Sequence, residues 1–504
     1  MSSSEQAGFS GWRSFLWPVH THELKKLIPM LLIFFLIFFD YNILRNLKDT
    51  LVITAKSSGA EVIPFIKVWV MFPGALLLTF AFTRLSNRLR SETVFYVMVS
   101  AFLLYFVLFV LILYPLRHHL RCDAFADSLE VLLPQGCKGL IAMVRNWTLT
   151  SFYVMSELWS NIILSMLFWG FANQITKLGE AKRFYGLFGI GANFSGVAAG
   201  QASVYLCSHA YASWIPYGST AWDQSVAMLI CLVLGSGLIA MGLFRWMHLN
   251  VIEGEVKLKT TPDAAVPRLS MRESVNYLLR SKYLLSIAVI VISYNLVINL
   301  VEVVWKHELK ALFPNPSDYN IYMNQVTTWT GILATLTALF ISGNAVRRFG
   351  WTFTAMLTPA ILLFTSIGFF FFLFAKPYLA DSTLPLIGAT PIAIVVFFGS
   401  AQNILSRAAK YTVFDATKEM AFVPLNKESQ LKGKAVIDGM ASRLGKSGGS
   451  IIHQSLLLTF VTITASAPYV AAFLLSVIVL WVAATRVLGK QFTDMTQPSE
   501  PISV

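Results

Sequence analysis

An all-α integral membrane fold, with twelve transmembrane helices in two six-helix bundles, is predicted by three observations. These are about a dozen apolar stretches of bilayer-spanning length, a long polar segment midway along the chain, and a short sequence repeated in the first span of each half. Of the 504 residues, 56% are hydrophobic and 13% are charged. No water-soluble core of this size needs so many uninterrupted apolar runs.

Windows of roughly 20 apolar residues place spans near 27–48, 64–83, 93–114, 147–172, 184–206 and 224–246, and again near 284–305, 326–346, 352–375, 386–408, 436–461 and 467–488. The connector 248–283, with Glu253, Glu255, Pro262, Asp263 and Pro267, divides the chain. The expected organisation is an N-terminal segment 1–26, a first bundle 27–247, the connector, a second bundle 284–488 and a tail 489–504.

The net charge of +13 is scattered through short loops rather than gathered in one basic domain, so it reports orientation and not a nucleic-acid partner. With the N-terminus inside, Arg84, Arg88, Arg90, Lys177, Lys182, Arg183, Lys257, Lys259, Arg347, Arg348, Lys432 and Lys434 fall on the inner side. The outer loops between spans five and six and between eleven and twelve have no Lys or Arg. Both termini are therefore expected in the cytoplasm. The first span follows Lys25 and Lys26, yet Asp40, Tyr41 and Arg45 continue its helix and no cleavage site follows, so it is expected to stay. Its leader is too meagre for an organelle transit peptide. A bacterial inner membrane is the simplest address.

Four cysteines lack the paired close spacing of a zinc site, and the histidines are scattered, so neither metal nor cofactor is expected. Cys122 and Cys137 share one loop and can pair if that side is oxidising.

Tyr41-Asn42-Ile43-Leu44-Arg45-Asn46-Leu47 in span one aligns without gaps with Tyr294-Asn295-Leu296-Val297-Ile298-Asn299-Leu300 in span seven, and Asp49 then matches Glu302. Basic turns follow spans two and eight. This is a parallel-repeat, major facilitator-like plan, in which two bundles rock about a ligand near the midplane, usually as a monomer.

Charges inside the spans carry the functional signal, because each costs several kcal/mol unless it faces a polar cavity or a partner. Glu157 lies about 15 Å into span four, with Asn161 and Ser165 predicted on the same face. It either serves binding or gating, or is locked in a packing salt bridge. Arg443 and Lys446 lie about 10 to 15 Å into span eleven. Glu157 alone cannot neutralise both, whereas a polyphosphate can. Gly445-Lys446-Ser447 is not a phosphate loop, since Gly439 is one residue too distant and the strand and helix are absent. Arg45 and Asp49 are spaced to pair. Lys48 and Glu302 lie toward the outer end, where they close an external gate together or simply meet water. Asn403, Ser406 and Arg407 in span ten, and Asn193 in span five, add donors for phosphate or ribose. No base pocket is assignable from sequence.

Longer strings then resemble one family. Trp17-Pro18, Glu23-Leu24-Lys25-Lys26, Tyr41 to Asp49, Arg145-Asn146-Trp147, Ser156-Glu157-Leu158-Trp159, Leu167-Phe168-Trp169-Gly170-Phe171-Ala172-Asn173-Gln174, Lys432-Gly433-Lys434-Ala435 and Leu444-Gly445-Lys446-Ser447-Gly448-Gly449 are similar to the nucleotide transporters, or ATP/ADP translocases, of plastids and obligate intracellular bacteria. The resemblance implies exchange of external ATP for internal ADP, with phosphate accompanying ADP and without hydrolysis. It also implies functional charges at Lys48, Glu157, Glu302 and Lys446. The family's usual acid is replaced by Asn46, which leaves the subtype open. Proton-coupled import of nucleoside triphosphates, with Glu157 titrating, is the alternative. A membrane-embedded transferase is more distant, for want of acidic metal ligands.

Overall fold

The computed structural model describes residues 19–176, 178–252, 276, 278–340, 342–379 and 390–496, and every regular element among them is helical. Among the described residues nine helices are long and apolar enough to cross a membrane: α1 (Leu24–Ile53), α2 (Val62–Ser86), α3 (Glu92–Leu113), α4 (Trp147–Ala172), α6 (Ala221–Val251), α7 (Lys282–Leu312), α9 (Arg348–Ala375), α10 (Pro391–Phe422) and α12 (Ile463–Thr496). Three more polar helices stand where spans five, eight and eleven were expected: α5 (Leu178–Cys207), α8 (Pro316–Phe340) and α11 (Ser442–Phe460). Most of the connector, 253–275, lies outside the described residues.

Helix starts follow from local chemistry. Thr220 and Asp223 form a reciprocal cap on α6, Ser281 accepts from the Leu284 amide at the start of α7, and Thr390 precedes Pro391 in α10. Leu77, Leu104, Leu111, Leu238, Phe364 and Val479 point outward and are exposed, a belt suited to acyl chains rather than water. In contrast, α8 buries Asn320, Asn324, Thr327 and Thr328. Its polarity is tolerable because protein, not lipid, surrounds that face.

The sequence repeat has a packing counterpart. Asn42 faces Gly196 of α5, while its match Asn295 faces Gly445 of α11 and Asn299 faces Gly449. The α5–α8 seam is closer still: a Cβ at Gly200 would lie 2.8 Å from the Asn324 carbonyl oxygen, and one at Gly331 would lie 2.6 Å from that of Asn193. Gly200→Val should therefore lower stability by about 1–3 kcal/mol, read as an earlier melt in detergent. Gly235→Ala, which has nothing within 4 Å, should melt like the wild type.

Several helices widen into π-turns, including Ser160–Phe168 in α4, Lys410–Phe414 in α10 and Ile437–Ala441 ahead of α11. The π-turn in α4 ends the expected Glu157–Asn161–Ser165 stripe, and both Asn161 and Ser165 are exposed. Trp159 packs inward and donates to the Ile37 carbonyl at 3.4 Å. Cys122 and Cys137 are free thiols.

Candidate functional site

The repeat brings the C-terminal parts of α1 and α7 together with α2, α4, α8 and α10, and their charges form a chain of ion pairs. Lys48, 3% exposed, lies 3.0 Å from Asp49 and 3.2 Å from Glu157, with its ammonium 3.8 Å from the centre of the Tyr153 ring. Asp49 also accepts from Lys306 of α7 at 2.8 Å; Lys306 reaches Glu302, one turn earlier, at 2.9 Å, and Arg407 approaches Glu302 at 3.6 Å. Three carboxylates thus meet three cations. Burying such groups is costly, and removing one member strands the others in low dielectric.

Further hydrogen bonds close the same end. The Asn46 amide donates to Asn324 Oδ1 at 2.8 Å and Thr327 Oγ1 at 2.9 Å, and Asn320 donates to Thr50 at 2.9 Å. Lys67 of α2 donates to Asn299 of α7 at 2.9 Å, and Gln454 of α11 donates to the Pro64 carbonyl at 2.7 Å. Lys310 reaches the Ser58 carbonyl. Matching asparagines of the repeat, Asn46 and Asn299, therefore both bond across from one half to the other.

Toward the end where α1 begins, the halves part around a cavity of about 700 Å³. Its walls include Phe38, Tyr41, Asn42 and Arg45 of α1, Asn193 of α5, Thr327 of α8 and Arg407 and Tyr411 of α10. Arg45, which lines it, makes no hydrogen bond or ion pair among the described residues. Lys446 is exposed, has no carboxylate within salt-bridge distance among them, and lies within electrostatic reach of Glu157, Lys67, Lys410 and Arg443. Lys410 sits 5.4 Å from the Tyr411 ring and likewise lacks an ion pair. Among the described residues Lys67 has only the Asn299 side-chain oxygen as a hydrogen-bond partner. Among the described residues Arg45, Lys67, Lys410, Arg443 and Lys446 make no ion pair, and of these Arg45 stands in the cavity wall.

These placements correct several expectations. Lys48 does not reach water, because α1 runs five residues beyond the expected span and α4 covers it. Asp49 pairs with Lys48 and Lys306 instead of Arg45, which frees Arg45 for the cavity. Glu302 binds Lys306 rather than Lys48, and Glu157 binds Lys48 rather than Lys446. Asn403 is buried and its amide is spent on the Gly399 carbonyl at 3.0 Å, while Asn161 does not line the cavity. Arg443 is exposed beside Lys446. Lys306, Lys67 and Lys410 were missed. The i, i+4 spacing of Glu302 and Lys306 was a legible signal for the first; the other two lie near span ends, where lysines are ordinary.

A cavity between two helical bundles, closed at one end by ion pairs, defines a secondary transporter with a major facilitator-like fold. The chain belongs to the TLC ATP/ADP transporter family, whose model matches residues 2–492. It is 45% identical over 497 residues to ADP,ATP carrier protein 1 of Chlamydia pneumoniae, covering 98% of this chain and 96% of the relative. It is 40% identical to the chloroplastic ADP,ATP carrier protein 2 of Arabidopsis thaliana over 96% of this chain and 77% of that one. Among solved structures, a bacterial homologue of the iron transporter ferroportin in an inward-facing state superposes with a TM-score of 0.56 at 14% identity, covering 95% of this chain and all of the other. The multi-pass membrane assignment follows from this kinship and the nine apolar helices.

Proposed function

We propose that this protein exchanges ATP for ADP across a bacterial inner membrane, with both termini and the open cavity facing the cytoplasm and phosphate travelling with ADP. The single observation that carries the proposal is the cavity between the halves with two cations in its wall, Arg407 and Arg45, the second without an ion pair among the described residues. A polyanion neutralises them; water alone leaves them expensive at membrane depth. Lys446, Arg45 and Arg407 hold phosphates, Arg443 adds positive field, and Lys48, Glu157 and Glu302 couple occupancy to the closed end.

Exchange then follows from the energetics. Closing an empty cavity would enclose Arg45 with no counter-charge, whereas closing around a nucleotide encloses a neutralised set. Reorientation is favoured only when a ligand stabilises the closed form. Each inward passage is thereby tied to an outward one, and the carrier works as a single chain.

Labelled ATP uptake should proceed into liposomes preloaded with ADP and fall to background in empty ones, with an uncoupler leaving the loaded rate unchanged. Equal uptake into empty vesicles, or collapse with the uncoupler, would replace exchange by net, proton-driven import.

A further inference from the structure

The cavity is polar at one end only. Arg45 and Arg407 stand at its deep end, and Asn42 and Asn193 come next. Its shallow end is walled by Phe34, Phe38, Trp169 and Tyr185. Along α1 the distance from Arg45 to Phe34 is eleven residues, about 16 Å at 1.5 Å per residue, close to the length of an extended nucleoside triphosphate. Charge at one end and flat apolar surface at the other match that molecule's own polarity.

Glycines sharpen the assignment. Elsewhere in α5, Gly196 and Gly200 admit α1 and α8, so packing explains them. Gly186 and Gly189 also line the cavity, yet a Cβ at either would meet nothing within 4 Å. No neighbouring helix needs them small. They leave bare backbone beside Trp169 and Tyr185, whose rings meet edge to face at 5.1 Å. The Asn193 side chain has no hydrogen-bond partner among the described residues and lies one turn deeper than Gly189.

We infer that the slot between Gly186, Gly189 and the Trp169–Tyr185 pair receives the base of the nucleotide, with the ribose beside Asn193 and the phosphates at Arg45 and Arg407. This rests on the nucleotide reading above. Aromatic rings supply stacking, and the Asn193 amide supplies N–H donors and a carbonyl acceptor.

Two readouts on the reconstituted full chain test it: the KM for ATP uptake, and inhibition of that uptake by inorganic triphosphate, which has the charge but no base. Gly189→Leu fills open space and keeps a good helix former, so the fold should be intact by thermal melting. It should raise the KM for ATP about tenfold or more, the scale of one lost base stack, and leave triphosphate inhibition unchanged. Trp169→Ala should act in the same direction. An unchanged KM in Gly189→Leu overturns the assignment, and so does an equal loss of triphosphate inhibition. If the wild type neither takes up ATP nor responds to triphosphate, the nucleotide reading itself fails, which is a different result.

Discussion

Replacing Asp49 by alanine should cost about 3–5 kcal/mol of stability and reduce transport to background. Asp49 is 1% exposed and lies between two buried ammonium groups, Lys48 at 3.0 Å and Lys306 at 2.8 Å. Without it, Lys48 keeps Glu157 and Lys306 keeps Glu302, but the link between α1 and α7 is gone and two like charges remain close. A thermal melt of the purified variant reads the first effect and vesicle uptake reads the second. A single Asp49→Ala variant that melts and transports like the wild type would remove the ion-pair chain from the mechanism.

Lys446→Ala is the second large effect, and it separates from the first by leaving the fold intact. Among the described residues Lys446 has no carboxylate at salt-bridge distance to strand, so the melt should be unchanged. Uptake should nevertheless fall about 100-fold, the scale of losing one side of a desolvated charge contact, because the lost partner is the cargo. Lys446→Arg should retain part of the rate, since guanidinium also binds phosphate though with a different reach. Loss of stability matching the loss of uptake would instead mark Lys446 as a packing residue.

Much of this was legible in the chain. Long apolar runs need helices in a bilayer, so α1, α6, α7 and α12 stood out by length and hydropathy alone. The Tyr41 and Tyr294 strings announced a repeat, and the packing of Asn42 and Asn295 on glycines of α5 and α11 gives that repeat its physical cause. Arg45, Glu157, Arg443 and Lys446 were conspicuous because charge at membrane depth is rare, whereas Lys48 and Glu302, near a span end, stood out only through the family resemblance. Which charge met which was not legible, because one-dimensional spacing favours neighbours on the same helix. Arg45 and Asp49 fit the i, i+4 rule, yet Asp49 instead bonds Lys306, which lies 257 residues away in sequence. The π-turn in α4 was also hidden, and it turned a predicted polar stripe into two exposed side chains. The proposed base slot could not be read because its mark is missing side chains, at Gly186 and Gly189, among a great many aromatics.

The proposed function depends on cations between the two halves meeting a multiply negative ligand. Calorimetric titration of the purified wild type with ATP, repeated in the presence of inorganic triphosphate and with an Arg45→Gln, Lys446→Ala double variant, tests that dependence most directly. The expected result is ATP binding that triphosphate displaces, that weakens as salt is raised and that disappears in the double variant. ATP binding that survives both substitutions and is indifferent to triphosphate would contradict it.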